Sequence, residues 1–322
     1  ELPGVAPGDY RVILRSDIRN HLPETDETNN VSASLDVAAV VTPELVLGVQ
    51  QFGLIDPERS AYYRLDVPAG QTLRIDLDSD SAWAMNEVYV RFGQMPTRGA
   101  YDYRHGEAFS ADQRAIVPQT REGSYYVLVY ASAGPDDQTY QIGASLLQFG
   151  LEATGLSEAG NAGPVTIDLT GAKLTDDVVY ELIGPGGAVV SSSAVYPQDA
   201  TRVFVTFDLS GLDVGAYDIR ARDADGAEAL LTDGLQIRVG GGPELQAGLV
   251  LPQASRPGPV IVAVEYENRG DADMDSPLFR LTGPDDLAIG LAPGLTDAVG
   301  EVSFLGYSPT GPAGILRPGQ RA

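Results

Sequence analysis

A chain of 322 residues, 43% of them hydrophobic, has enough apolar material for several packed cores and predicts two to four domains. Its formal charge of −24, from 45 acids against 21 bases, excludes the basic surface that phosphate binding needs, so no nucleic-acid partner is expected. The lack of cysteine excludes disulfide scaffolds, thiolate metal sites and Cys nucleophiles. No run of about 18 apolar residues is present for membrane insertion.

The chain opens at ELPGVAPGDYRV, without an initiator Met, and reads as an internal piece of a longer protein or a processed product. The segments YRVILRSD, YRLDVPAGQTLRIDLDSD, YYVLVYAS, RVFVTFDL and YDIRARDADG carry β-branched and aromatic residues at period two, bounded by Gly, Pro and Asp. That alternation predicts half-buried strands. The nearest approach to a helical stripe, ADQRAIVPQTREG, is stopped by Pro118. The predicted fold class is all-β, built as tandem β-sandwiches strung like beads. A theme of Gly, one or two residues, Tyr and then a strand recurs at Gly8/Tyr10, Gly123/Tyr125 and Gly215/Tyr217. Gly permits a tight turn there, and Tyr buries its ring while its hydroxyl reaches backbone, the logic of the tyrosine corner in Ig-like sandwiches.

Four pieces follow in order. Residues 1–42 contain GVAPGDYRVILRSD and then Glu24, Glu27, Asn29, Asn30 and Val31; with Pro7, Gly8, Tyr10 and Asp17 they resemble the last strands of a CARDB-type Ig-like domain. Residues 43–148 hold YYRLDVPAGQTLRIDL, NEVYVRFGQMPT and GSYYVLVY, whose order and spacing resemble a PPC (pre-peptidase C-terminal) domain. That resemblance implies a jelly-roll-like sandwich that accompanies secreted bacterial hydrolases or large surface proteins, some of them binding calcium or polymers. Residues 149–241, with GPVTIDLTGAKL and the closing GLQIRV, are similar to an IPT/TIG-like Ig domain. Residues 242–322, with RPG, the strand from Val260 to Tyr266 and NRGDADM, resemble the opening part of a second CARDB-like domain. One expectation from this phase is that the last piece of one chain and the first piece of another complete a single sandwich, since missing strands leave edges open to a partner strand.

Motifs for catalysis are sparse. His21 and His105 are the two histidines and lie in different pieces; no nucleophile elbow or zinc-protease helix motif occurs. Both histidines read as loop residues. The single lysine, Lys173, raises an internal isopeptide bond, against which stands a simple exposed lysine leaving a strand. Asn30-Val31-Ser32 is a glycosylation sequon, read as incidental in a bacterial protein. In YVRFGQMPTRGAYDYRHGEAF, the residues Tyr89, Arg91, Tyr101, Tyr103 and Arg104 read either as a sugar- or peptide-binding face or as core aromatics with solvated arginines between them.

Acids gather at predicted turns. Asp76, Asp78, Asp80 and Glu87 occupy the spacing of an EF-hand loop, but position six is Ser81 and position eight is Trp83, so the stretch reads as a strand end and a turn. Calcium held by these four as a sandwich-loop site is the cofactor expectation. Asp223/Asp225 and Asp271/Asp273/Asp275 are further acidic turns of the same kind. The functional expectation is a non-catalytic structural or adhesive segment of a large extracellular bacterial protein. Its partners would be neighbouring domains of the array, other copies of the chain, or a matrix polymer. The alternative is an accessory substrate-binding region of a secreted hydrolase.

Overall fold

Period-two alternation makes strands here because each residue pair sends one side chain into a core and the next toward solvent. A computed structural model of the chain describes residues 5–19, 21–23, 25–26, 28–251, 260–284, 288–291, 298–306, 308 and 310–322. Glu24, Glu27 and residues 256–258, which contribute to the CARDB resemblances, lie outside the described residues. The chain divides into two compact units, Glu1–Leu147 and Gln148–Ala322. The architecture is all-β, in agreement with the sequence expectation; among the described residues the one helical element is a short 3-10 turn at Pro185–Gly187.

The first unit begins with β1 (Gly8–Tyr10), β2 (Ile13–Arg15), β3 (Val31–Ala33) and β4 (Ala38–Val40). They form two antiparallel ribbons, β1 with β4 and β2 with β3. Then come β5 (Gln51–Ile55), β6 (Ser60–Val67), β7 (Thr72–Ser79), β8 (Met85–Phe92), β9 (Tyr103–Arg104), β10 (Gln113–Val117), β11 (Gly123–Ala133) and β12 (Gln138–Leu147). These eight make a sandwich of two four-stranded sheets, ordered β10-β7-β12-β5 and β6-β11-β8-β9. Leu73, Ile75 and Leu77 of β7 face Leu65, Val67, Val88, Val90, Val127 and Val129 of the other sheet in one buried core. The hydroxyls of Tyr63 on β6 and Tyr140 on β12 meet at 2.6 Å, tying the two sheets across that core. Burial raises the pKa of both phenols, so the pair stays neutral and its hydrogen bond intact.

The second unit opens with β13 (Gly150–Thr154), β14 (Glu158–Gly160), β15 (Pro164–Ala172), β16 (Val179–Ile183), β17 (Val189–Ser191), β18 (Ala194–Asp199), β19 (Arg202–Asp208), β20 (Gly215–Arg222) and β21 (Glu228–Arg238). They form a second sandwich, with sheets β13-β15-β19-β18 and β14-β21-β20-β16-β17. Its β14–β21 pair is parallel. After it come β22 (Leu245–Val250), β23 (Ala263–Asn268), β24 (Met274–Asp275), β25 (Leu278–Thr282), β26 (Ala288–Ile289), β27 (Ala298–Val299), β28 (Glu301–Leu305) and β29 (Ile315–Leu316), joined as two-stranded ribbons.

These last ribbons dock on the second sandwich. Ala272 is fully buried as part of its core. Gly160 N donates to Asp271 O and Asp273 N to Pro164 O, at 3.0 and 2.8 Å. The Asp271 carboxylate accepts from Gly241 N and Gly242 N at 3.0 and 2.9 Å. A Cβ on Gly160 would lie 2.3 Å from Asp271 Cγ, so this approach requires glycine. Asp273, read from sequence as part of a solvated acidic turn, is instead drawn inside: Thr166 Oγ1 donates to its Oδ2 at 2.5 Å and shares a 2.7 Å hydrogen bond with Thr206 Oγ1. Burial raises the Asp273 carboxyl pKa, against the opposing pull of Thr166 and the Arg317 guanidinium. Arg317 lies 4.6 Å over the Phe204 ring.

Candidate functional site

The outer face of the β6-β11-β8-β9 sheet collects aromatic and arginine side chains by register alone. Leu128 pairs across to Tyr62 on one side and Tyr89 on the other, Tyr126 faces Arg91, and Tyr130 faces Glu87. Tyr89 is also opposite Arg104. The segment between β8 and β9 returns over this face, with Tyr101 tilted against Tyr89 at 4.9 Å, and His105, directly after β9, meets Tyr89 edge-on at 5.4 Å. His105 Nδ1 lies 3.2 Å from Val88 N, so the ring serves the sheet edge.

At the middle of this face Arg98 forms a two-pronged ion pair with Glu87, at 2.7 and 2.8 Å, and its guanidinium stacks 4.3 Å over the Tyr130 ring. Tyr89 Oη donates to Glu87 Oε2 at 2.8 Å. Burial pushes the Glu87 carboxyl up, but the hydrogen bonds from Arg98 and Tyr89 outweigh it and hold the pKa below the ordinary value. Burial, with the Glu87 carboxylate as neighbour, pushes the Tyr89 phenol up to about 12. The arrangement is a charge-assisted clamp that covers the face.

The residues predicted for ligand contact divide. Tyr89, Arg91, Tyr101 and Arg104 belong to the outer face or its covering segment, whereas Tyr103 packs against the core. The reason is register: Tyr103 is opposite Val90, an inward position of β8, so the pleat turns it away from Tyr89.

The four acids predicted for calcium do not converge. Asp76 is held by Arg74 and Arg114 at 2.7 and 2.8 Å, Glu87 by Arg98, and Asp80 accepts from Thr139 Oγ1. Among the described residues no group of three or more acidic or histidine side chains is placed to hold a metal ion. The one-three-five spacing puts alternate acids along a strand, where neighbouring strands supply arginines, and β8 carries Glu87 onto the other sheet. At the Asp223–Asp225 turn, Asp223 Oδ1 accepts from Ala227 N at 2.7 Å, a hairpin role. Lys173 follows β15 in a left-handed conformation, φ 57°.

At one end of the first sandwich, the loop expected from sequence to hold calcium and its neighbour present aromatic side chains. Trp83 and Phe109 are 88% and 82% exposed there, and Phe109 holds φ 62°, a strained conformation for a bulky side chain. Beneath them the buried amides of Asn86, Gln113 and Gln138 link the loops. Asn86 Nδ2 donates to Ala111 O at 2.7 Å, Gln113 Nε2 to Asn86 O at 2.7 Å and to Ser110 O at 3.1 Å, and Gln138 Nε2 to Asn86 Oδ1 at 2.8 Å. The isolated polar residues inside otherwise apolar strands, NEVYV and DQRAIV, were the available signal.

No curated protein matches the chain. One similar solved structure is the pre-peptidase C-terminal domain of a collagenase from Bacillus anthracis, 17% identical, covering 32% of this chain and 94% of that one with a TM-score of 0.27. Another is PliG of Aeromonas hydrophila, a periplasmic inhibitor of g-type lysozyme, 19% identical, covering 33% and 95% with a TM-score of 0.26. Residues 59–131, from the start of β6 into β11, match the family model of the bacterial pre-peptidase C-terminal domain. The chain thus carries a domain of the bacterial pre-peptidase C-terminal type within its first sandwich.

Proposed function

We propose that the chain is a non-catalytic segment of an extracellular bacterial multidomain protein, acting as a spacer and assembly unit. The observation that carries this reading is the docking of the last ribbons on the second sandwich. Ala272 enters a neighbouring core, and Asp271 and Asp273 bind its backbone and threonines. Such a buried joint resists bending, which suits a spacer. The pre-peptidase C-terminal match supports the extracellular setting. The ribbons outside the two sandwiches show Ile13, Leu14, Leu278 and Leu305 at 63–71% exposure. In this reading they are completed by strands of neighbouring array domains or of other copies of the chain, because isolated two-stranded ribbons are marginal in water.

The family match also favours a second reading, in which the chain binds substrate or matrix beside a peptidase. One assay separates the two: co-sedimentation of the full chain with insoluble collagen, chitin and cellulose. The spacer reading expects the chain to remain in the supernatant with all three. Saturable retention on any of them overturns it in favour of the accessory role.

A further inference from the structure

We propose that the loop end of the first sandwich bearing Trp83 and Phe109 is a docking surface for an arginine-bearing polypeptide segment. The sandwich already shows how it binds a guanidinium. Arg98 stacks over Tyr130 and pairs with Glu87. Arg121 lies 4.2 Å over Phe92 and 3.9 Å from Asp102. In each case one ring and one carboxylate receive one arginine.

At the loop end the rings and carboxylates are present, and the chain supplies no described arginine to them. Asp80 and Trp83 lie together on the turn closed by Ala84 N donating to Ser81 O at 3.1 Å. Phe109 and Asp112 share the next loop, which is fastened to that turn by Asn86 N donating to Ser110 O at 3.0 Å and Ser79 N to Asp112 Oδ1 at 2.9 Å. A third loop, 134–137, is close to the Trp83 turn: a Cβ on Gly134 would lie 3.5 Å from Ala84 Cα, and Asp80 N donates to Thr139 O at 3.1 Å. Asp80, Glu107, Asp112, Asp136 and Asp137 are all exposed. None forms an ion pair among the described residues.

The loops rest on a buried polar network. Gln113 Oε1 and Gln138 Oε1 are buried beneath these loops with no donor, on residues 4% and 3% exposed. Gln138 Oε1 lies 2.5 Å from where a Cβ on Gly134 would sit, so it is aimed at the third loop. This end therefore combines exposed π faces and unpaired negative charge above a buried polar network. A guanidinium meets the first two, since it is planar and cationic. The polar network fixes the loops in advance, which lowers the ordering cost of binding.

Trp83 is the single tryptophan, so its fluorescence reports the site directly. The test titrates the full chain at physiological salt with an acetylated tetra-arginine amide, its tetra-lysine counterpart and the neutral sugar chitohexaose, and measures affinities by calorimetry. Tetra-arginine is expected to quench Trp83 and to bind more tightly than tetra-lysine. The W83A/F109A and D80N/D112N variants should each lose about tenfold or more in affinity, while F52A, an exposed aromatic on β5, keeps it. Because the chain is so acidic, equal tetra-arginine affinity in W83A/F109A would reveal diffuse charge attraction and overturn the proposal. Quenching by chitohexaose without tetra-arginine binding would overturn it in favour of a glycan, and no binding of any probe would overturn it outright.

Discussion

Tyr10 and Tyr125 occupy the same local motif with opposite fates. Gly8 and Gly123 precede them with φ of 155° and 134°. Each tyrosine hydroxyl reaches backbone four residues earlier: Tyr10 Oη donates to Ala6 O at 2.7 Å, and Arg121 N donates to Tyr125 Oη at 2.8 Å. Tyr217, behind Gly215 at φ 152°, repeats the pattern by donating to Asp213 O at 3.0 Å. Yet Tyr125 and Tyr217 are 1% and 2% exposed, and Tyr10 is 36% exposed. The motif sets the turn and the hydroxyl bond from nearby residues. Burial of the ring needs an opposing sheet, which β6-β11-β8-β9 has; among the described residues the β1–β4 pair holds no buried position.

The comparison breaks most visibly at the buried rings. Y125A or Y217A should destabilise its sandwich by about 3–5 kcal/mol, the cost of emptying an aromatic site in a packed core. Urea unfolding followed by hydrogen exchange of β11 or β20 amides measures this, and a loss below about 1 kcal/mol would show that the corner carries little of the core. Y217F removes only the hydroxyl and should cost about 1 kcal/mol. At the outer clamp, E87Q should cost about 1 kcal/mol at neutral pH, a figure discounted because Arg98 is half-exposed. Its sign follows from the lowered carboxyl pKa: the wild-type advantage is present above the ordinary value of 4.5 and vanishes as pH falls through the folded one. Equal melting of wild type and E87Q at neutral pH would remove the clamp from the account.

The docked ribbons sharpen the contrast from the other side. The Asp273 pKa is raised by burial, so the folded state holds that proton more tightly than the unfolded one. Stability of the joint then falls as pH climbs from the ordinary value of 3.8 through the raised folded value. D273N should flatten that slope, read as hydrogen exchange of β24 and β29 amides across the pH range. The smallest effect belongs to Tyr10: Y10A should change stability by less than about 0.5 kcal/mol, since the strand pair β1–β4 that carries it holds no buried residue.

Much of the fold was legible from particular residues. Leu73, Ile75 and Leu77 alternate with Arg74, Asp76 and Asp78, and β7 follows that pattern. Less of the site was legible, because partners far apart in sequence decide it. Asp76 looks like a metal ligand until Arg114 arrives from β10, and Tyr103 looks like a surface aromatic until its register with Val90 turns it inward. Asp273 sits in a run that reads as a solvated turn, and Thr166 and Thr206, distant along the chain, make it a buried joint.

By itself the sequence determined strand identity, the three glycine–tyrosine turns and the all-β class, since these follow from side-chain period and local backbone freedom. The tertiary structure alone decided which acids are neutralised, which aromatics are covered and which ends of the sandwiches stay exposed. Those outcomes depend on which strands become neighbours, and that information is spread over the whole chain.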